Sequence, residues 1–114
     1  MAIESKAFLQ GKASNIRRGI IEQTASAQSG HPGGSLSGVE FLTALYFGVM
    51  NIDPNDANNP NRDRFVLSKG HASPLLYATL AERGFFPKEG LCDFRKIECT
   101  LQGHPDMKSI KGVD

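Results

Sequence analysis

The 114-residue sequence lacks most of the features that mark secreted, membrane-spanning or nucleic-acid-binding proteins. Its two cysteines, Cys92 and Cys99, are too few for a disulfide framework, so free thiols in a reducing cytosol are the simpler interpretation. Residues 1–6 contain no apolar stretch typical of a signal peptide, and no apolar run is long enough to cross a bilayer. The formal charge is +1 and the basic residues are dispersed, so neither a nucleic-acid nor a membrane partner is indicated. These absences predict one small cytoplasmic domain.

Several motifs with known chemistry are also missing. Cys92 and Cys99 do not form the close cysteine pair of structural zinc sites, so a zinc site with His104 is not indicated. There is no dinucleotide-binding glycine fingerprint, no Walker loop and no His-Glu-x-x-His motif. Ser68 and Ser73 lie near His71 in sequence but lack the context of a nucleophile elbow, so a hydrolase triad is unsupported.

Histidines in glycine-containing turns are what the sequence does offer. Each of the three histidines follows a glycine, and His31 and His104 also precede a proline. Imidazole is the side chain that titrates most easily near neutral pH, glycine lets the backbone approach a ligand closely, and proline stiffens the turn. The three turns are therefore candidate parts of a site. The alternative is that glycine and proline simply mark loops, where histidine is tolerated.

The spacing of apolar residues predicts a mainly helical chain with one strand. Helices are expected over residues 13–29, 37–50, 73–84 and 87–97. In the first helix, Ile16, Ile20 and Ile21 lie on the apolar face, whereas Gln23 lies on the polar one. A run of strand-forming residues, 65–68, predicts a short buried strand.

The helix ends carry their own signals. Ser14 is a possible N-cap of the first helix. Ser37 and Glu40 have the spacing of a capping box for the second helix, and Leu36 with Phe41 would form its hydrophobic staple. For the third helix, Ser73 and Pro74 are a starting signature and Gly84 is a stop.

A single strand cannot make a sheet. Its neighbours must come from sequence outside these residues or from another chain. Because the run 65–68 is apolar throughout, it favours a strand buried on both faces of a larger parallel sheet. The predicted fold class is therefore α/β, with residues 1–114 as the leading piece of a domain.

Each histidine has a chemical interpretation and a structural alternative. His71 lies where the strand leads into a helix, the place where α/β folds bind phosphates, although its ring could instead cap the helix. His31 precedes two glycines that could form an anion-binding nest or a plain flexible linker, and its imidazole could orient a hydroxyl or move a proton. Asp106 could orient the ring of His104, or that ring could face solvent.

Three segments resemble the amino-terminal segment of transketolases: SGHPGGSLS at 29–37, DRFVLSKGH at 63–71 and LQGHPDM at 101–107. The loops at 51–54 and 84–87 fit the same pattern, so the resemblance covers about residues 14–114. The motifs are most similar to bacterial and archaeal enzymes whose two halves are separate subunits. Deoxyxylulose-phosphate synthases lack this form of the His31 and His104 motifs and rank second.

The resemblance implies a thiamine-diphosphate-binding fold and an enzyme that moves a two-carbon ketol unit between sugar phosphates. Such enzymes use thiamine diphosphate and a divalent metal, Mg²⁺ or Ca²⁺. Carried over to this sequence, His71 would bind the diphosphate side of the cofactor. His31 and His104 would be catalytic, because they would contact the hydroxyls of the donor sugar and assist proton transfer.

The family's metal ligands, a Gly-Asp-Gly motif and a later asparagine, do not occur in these residues. The glutamate that activates the cofactor and the pyrimidine-binding domain are absent too. We therefore expect residues 1–114 to be the N-terminal part of the diphosphate-binding domain, ending before the metal-binding motif and inactive alone. Its expected partners are the remainder of the enzyme or a C-terminal transketolase subunit, in a homo-oligomer when complete.

Two alternatives stay open. The chain could be a non-catalytic remnant that binds phosphorylated ligands or partner chains, or an α/β sugar-phosphate binder unrelated to thiamine. In either case the predicted helices 38–50 and 74–83 have more apolar surface than the chain can cover, so the isolated chain is expected to associate.

Overall fold

The computed structural model describes residues 5–27, 32–69, 72–88 and 113. The described elements, in chain order, are helix α1 (Lys6–Ala27), helix α2 (Pro32–Leu36), helix α3 (Val39–Ala44), a π-helical turn (Leu45–Val49), a 3₁₀ turn (Pro54–Asp56) and helix α4 (Ser73–Arg83). None of the described helices combines the length and the apolar character that a bilayer span requires.

Helix α1 begins earlier than predicted. The hydroxyl of Ser5 accepts a hydrogen bond from the backbone N–H of Phe8 at 3.2 Å, and the Ser5 carbonyl accepts from Leu9 at 3.0 Å. Ser5 therefore satisfies donors of the first turn, as an N-cap residue does. The predicted cap, Ser14, lies inside the helix and is exposed.

The predicted single helix from Ser37 to about Met50 is instead divided into α3 and the π-helical turn. The capping box does not form, because Gly38 occupies the N-cap position of α3 and no side chain caps it. Ser37 instead donates its hydroxyl to the Gly34 carbonyl at 2.9 Å. Phe41 is 65% exposed, so the staple with Leu36 is also wrong. The π-helical turn closes with the bond from the Met50 N–H to the Leu45 carbonyl at 2.8 Å.

The prediction for helix α4 is confirmed at its C-terminal end and for the place of Pro74, whereas the N-cap is Ala72 and not the predicted Ser73. Pro74 lies in the first turn, and Gly84 ends the helix in the left-handed conformation at φ 107°. The Phe85 N–H donates to the Leu80 carbonyl at 2.9 Å and the Gly84 N–H donates to Ala81 at 3.2 Å, which is the bond pair of a Schellman motif. Phe85 is buried beneath this turn, so the stop signal and the core are built together.

The core forms around α4, in which every residue from Ser73 to Ala81 is buried. Helix α1 packs along it, and α3 closes the other side with Val39 and Leu42. The buried hydrophobic residues of this core are Ala13, Ile16, Ile20, Val39, Leu42, Tyr46, Leu75, Leu76, Tyr77, Ala78, Leu80, Ala81 and Phe85. Because α4 is covered on all sides, the core fixes the position of its first turn.

Residues 65–68 form no strand in the described part of the chain. Phe65 and Leu67 are half-buried, whereas Val66 and Ser68 are exposed, so the segment has the alternation of a strand without its ladder. A ladder needs a second strand, and none is present among the described residues. The regular elements among the described residues are thus helices, and the α/β prediction is not shown by them. The helix predicted at 87–97 lies mostly outside the described residues.

Candidate functional site

His31, His71 and His104 all lie outside the described residues, so their roles stay predictions. Described residues precede and follow His31 and His71 in the sequence, however, and they contact each other. Three connections join them: one between α1 and α4, one between α2 and residue 69, and one between residue 69 and the start of α4.

The first connection joins the end of α1 to the first turn of α4. The buried amide of Gln23 donates from Nε2 to the Pro74 carbonyl at 2.8 Å and to the Gly19 carbonyl at 3.1 Å. Helix α1 leads into the turn of His31, and Pro74 follows the turn of His71. The two histidine turns are thus attached to elements that bond directly to each other.

The other two connections pass through Lys69. Its ammonium donates to the Gly34 carbonyl, inside α2, at 2.6 Å and to the Ser37 hydroxyl, just after α2, at 2.9 Å. Its own carbonyl accepts from the Ala72 N–H at 2.9 Å, just before α4. Lys69 therefore contacts both α2, which follows His31, and Ala72, which follows His71.

Helix α4 begins without a side-chain cap, because its N-cap residue is Ala72. A helix start of this kind carries a partial positive charge and suits a phosphate group. Among the described residues, two polar atoms are also buried without a hydrogen-bond partner, Oε1 of Gln23 and Oγ of Ser35, in side chains that are 0% exposed. Unpaired buried polar atoms are uncommon, and an unbound ligand or water is one explanation for them. The uncapped helix start and the Ser35 hydroxyl, which can donate a hydrogen bond, fit the diphosphate of the cofactor expected from the sequence, whereas Oε1 of Gln23 is an acceptor and cannot bond to a phosphate oxygen.

A charged cluster lies at the opposite end of the α1–α4 pair. The Glu82 carboxylate accepts from Lys12 and Asn15 of α1, each at 3.0 Å, and from Lys88 at 2.6 Å. Burial alone would raise the pKa of Glu82, but the hydrogen bonds from Lys88, Asn15 and Lys12 outweigh it and hold that pKa below its ordinary value. Because three side chains already donate hydrogen bonds to its carboxylate, Glu82 stabilises the helix pair and is not a candidate general acid or base.

An open groove of about 740 Å³ lies between α1 and α3 and is separate from the histidine flanks. Its lining includes Ala13 and Ser14 from α1, Thr43 and Ala44 from α3, and Arg17, which pairs with Glu40 across it. Among the described residues, no group of three acidic, histidine or cysteine side chains is placed to hold a metal ion.

The sequence analysis missed Gln23, Ser35 and Lys69. It placed Gln23 on the polar face of α1, but that side chain is fully buried and bonds to α4, whereas Ile21, assigned to the apolar face, is 49% exposed. The spacing of Gln23, three residues after Ile20 and seven after Ile16, places it on the same helix face as these buried residues and could have shown this. Lys69 lies within one of the quoted motifs, so the motif pointed to it but gave no role.

The comparisons with known proteins agree with the resemblance. Residues 9–114 match the family described as transketolase, thiamine diphosphate binding domain. This match spans most of the chain, and the chain therefore belongs to the transketolase N-terminal domain family. Its fold is that of the thiamine-diphosphate-binding domain of transketolases.

Relatives with separate subunits are among the similar proteins. The chain is 46% identical over 111 residues to the 6-deoxy-6-sulfo-D-fructose transketolase subunit SqwG of Clostridium sp. (strain MSTE9), and the match covers 97% of this chain and 40% of that protein. It is 43% identical over 107 residues to one subunit of the apulose-4-phosphate transketolase of Actinobacillus succinogenes, covering 93% and 39%.

A solved structure supports the fold directly. A transketolase variant from Pichia stipitis superposes with a TM-score of 0.84 and 39% identity, covering 92% of this chain and 16% of that one. The chain thus spans between 16% and 40% of the lengths of these three relatives.

Proposed function

We propose that this chain supplies one wall of the active site of a transketolase that transfers a two-carbon ketol unit between sugar phosphates. The observation that carries the proposal is the hydrogen bond between Gln23 of α1 and Pro74 of α4, because it attaches the flanks of the His31 and His71 turns to each other. Bound thiamine diphosphate would supply the carbanion chemistry that breaks and forms the carbon–carbon bond.

In this proposal the chain's own residues bind and orient. His71, together with the uncapped start of α4, holds the diphosphate of the cofactor by hydrogen bonds and the helix dipole. His31 and His104 contact the hydroxyls of the donor sugar and hold or move a proton at an imidazole nitrogen. The buried hydroxyl of Ser35 lies in α2, beside the His31 turn, and lacks a partner that a bound ligand or water would provide.

The rest of the site belongs to other segments in this proposal. The Mg²⁺ or Ca²⁺ ligands lie outside these residues, either in the remainder of the same chain or in a separate partner, which the names of the two relatives with separate subunits suggest. The complete enzyme is a homo-oligomer and is cytoplasmic. Alone, the 114-residue chain is expected to form no ketol-transfer product from sugar phosphates, and measurable product would contradict the division of the site.

The binding role of His71 is tested by titrating the chain while recording the imidazole signals of its three histidines by NMR. We expect thiamine diphosphate with Mg²⁺ to shift the His71 signal with a dissociation constant weaker than about 10 μM, because the metal ligands are missing. Thiamine, which lacks the diphosphate, is the matched control and should leave the signal in place. An unmoved His71 signal at millimolar cofactor, or an equal shift with thiamine, would overturn the assignment.

A further inference from the structure

We propose that Lys69 is a positioning residue that fixes α2 relative to the start of α4, the two described elements that follow His31 and His71 in the sequence. The inference rests on the proposed function, since this placement matters for the reaction only if His31 and His71 share a ligand. It is carried by described contacts on the C-terminal side of His31 and on both sides of His71, and it assigns a role to a residue whose chemistry the proposed reaction does not itself use.

The backbone of Lys69 is bonded to the start of α4. The Lys69 carbonyl accepts from the Ala72 N–H at 2.9 Å, so residue 69 is tied to the residue that starts α4. Helix α4 is buried along most of its length and cannot shift without disturbing the core. The main chain of Lys69 is therefore attached to the most firmly packed element of the chain.

The side chain then extends this attachment to α2. Its Nζ atom donates to the Gly34 carbonyl at 2.6 Å and to the Ser37 hydroxyl at 2.9 Å. Ser37 in turn donates to the same Gly34 carbonyl at 2.9 Å, so the three groups form a closed ring of hydrogen bonds. A charged donor makes shorter and stronger bonds than a neutral one, so the ammonium is the strongest member of this ring.

Short helices such as α2 have little stability of their own. With five residues, α2 is far below the length at which a helix persists in water, so its position depends on tertiary contacts. The close approach of Gly38 to Leu75 is another such contact, since a Cβ at residue 38 would lie 2.6 Å from the Leu75 side chain. Lys69 adds the polar contacts to Gly34 in α2 and to Ser37 just after it.

The experiment compares Lys69→Met, which keeps the aliphatic stem and removes the ammonium, with Lys69→Arg, which keeps a charged donor. Lys88→Met is the matched control, because Lys88 pairs with Glu82 at the opposite end of α4. The readout is the His31 imidazole signal in the unliganded chain, assigned by its loss in His31→Gln. His31 is informative because it lies far from residue 69 in sequence.

We expect Lys69→Met to shift the His31 signal and to speed amide exchange at Ser37 and Gly38 about tenfold, since both amides close the α2–α3 turn. Lys69→Arg should restore both readouts, and Lys88→Met should change neither. An unmoved His31 signal in Lys69→Met, or an equal shift in Lys88→Met, would overturn the proposal. A uniform rise in exchange across α1 and α4 would do the same, because it would mean general loosening.

This test is separate from that of the proposed function. It uses no cofactor, so Lys69 is judged even if thiamine diphosphate does not shift the His71 signal. If Lys69→Met moves the His31 signal and cofactor titration moves nothing, the spacing role holds and the ligand is a different one. If the cofactor shifts His71 with equal affinity in wild type and Lys69→Met, Lys69 does not position the turns for this ligand.

Discussion

At the scale of single residues, Gln23 and Ser35 are both fully buried but use their polar atoms differently. The Gln23 amide donates two hydrogen bonds, whereas the Ser35 hydroxyl has no partner. We expect Gln23→Met to lower the free energy of unfolding by about 1–2 kcal/mol, because the Pro74 carbonyl loses this donor. Ser35→Ala should be neutral or slightly stabilising, since it removes an unpaired polar group.

Urea unfolding of the two variants beside wild type measures this difference. A loss of more than about 1 kcal/mol in Ser35→Ala would show that the hydroxyl has a partner in the folded chain. Such a result would also weaken the suggestion that Ser35 is kept for a ligand.

Alanine substitutions at Gly38 and at Gly11 are expected to change the stability of the chain in opposite directions. A Cβ at Gly38 would lie 2.6 Å from the Leu75 side chain, which is fully buried and cannot move outward. Gly38→Ala should therefore destabilise the chain by about 1–3 kcal/mol through overpacking. Gly11 lies in α1 with open space around it, so Gly11→Ala should stabilise by about 0.4–1 kcal/mol by restricting the unfolded chain.

Thermal unfolding of the two alanine variants distinguishes the effects. A Gly38→Ala chain as stable as wild type would show that α3 and α4 can separate slightly without cost. That result would also weaken the argument that residues 33–38 are held at a fixed distance from α4.

At the scale of elements, Glu82 holds α1 and α4 together through a pH-dependent interaction. Its pKa is lowered in the folded chain, so its contribution is present above the ordinary carboxyl range and is lost as the pH falls through the lowered value. We expect Glu82→Gln to cost about 1–3 kcal/mol at neutral pH, because the side chain is 4% exposed and its donors lose their charged acceptor.

Chemical denaturation from neutral to acidic pH tests this expectation. The difference between wild type and Glu82→Gln should shrink as the pH falls, whereas Glu22→Gln, at an exposed site on α1, should match wild type throughout. A wild-type–variant difference that stays constant with pH would show that the carboxylate's charge does not stabilise the helix pair.

At the scale of the whole molecule, several large apolar side chains remain exposed. Val66 is 71% exposed in the extended segment 65–68, and Phe41 and Val49 are 65% and 62% exposed. We expect the isolated chain to self-associate at roughly 100 μM, because exposed apolar surface and an extended segment that joins no sheet among the described residues both favour association. Sedimentation of the chain measures this directly.

The variant Val66→Lys should reduce the association, since a lysine on an extended edge opposes pairing with another chain. Ile21→Lys is the control, because it adds the same charge to an exposed position of α1. A wild-type chain that sediments as a monomer, or equal effects of the two substitutions, would argue against pairing through residues 65–68.

Local sequence signals were accurate where a single element decides its own ends. Pro74 predicted the first turn of α4 and Gly84 its end, because proline fits a first turn and glycine accepts the left-handed conformation at a helix end, although the N-cap is Ala72 and not Ser73. The capping signals of Ser37 and Glu40 failed, because both side chains bond to other elements, Ser37 to Lys69 and Glu40 to Arg17. A capping hydrogen bond joins residues of one helix end, whereas the bonds that Ser37 and Glu40 form instead join different elements.

The amino-acid sequence by itself determined the family and the position of α4, because these depend on residue types at fixed spacing along the chain. Only the tertiary structure decided that Gln23 bonds to Pro74 and that Lys69 joins α2 to the start of α4. It also decided that residues 65–68 form no strand among the described residues. The physical reason is that burial and hydrogen bonding between distant residues depend on how helices cross, and no spacing along one helix encodes that crossing.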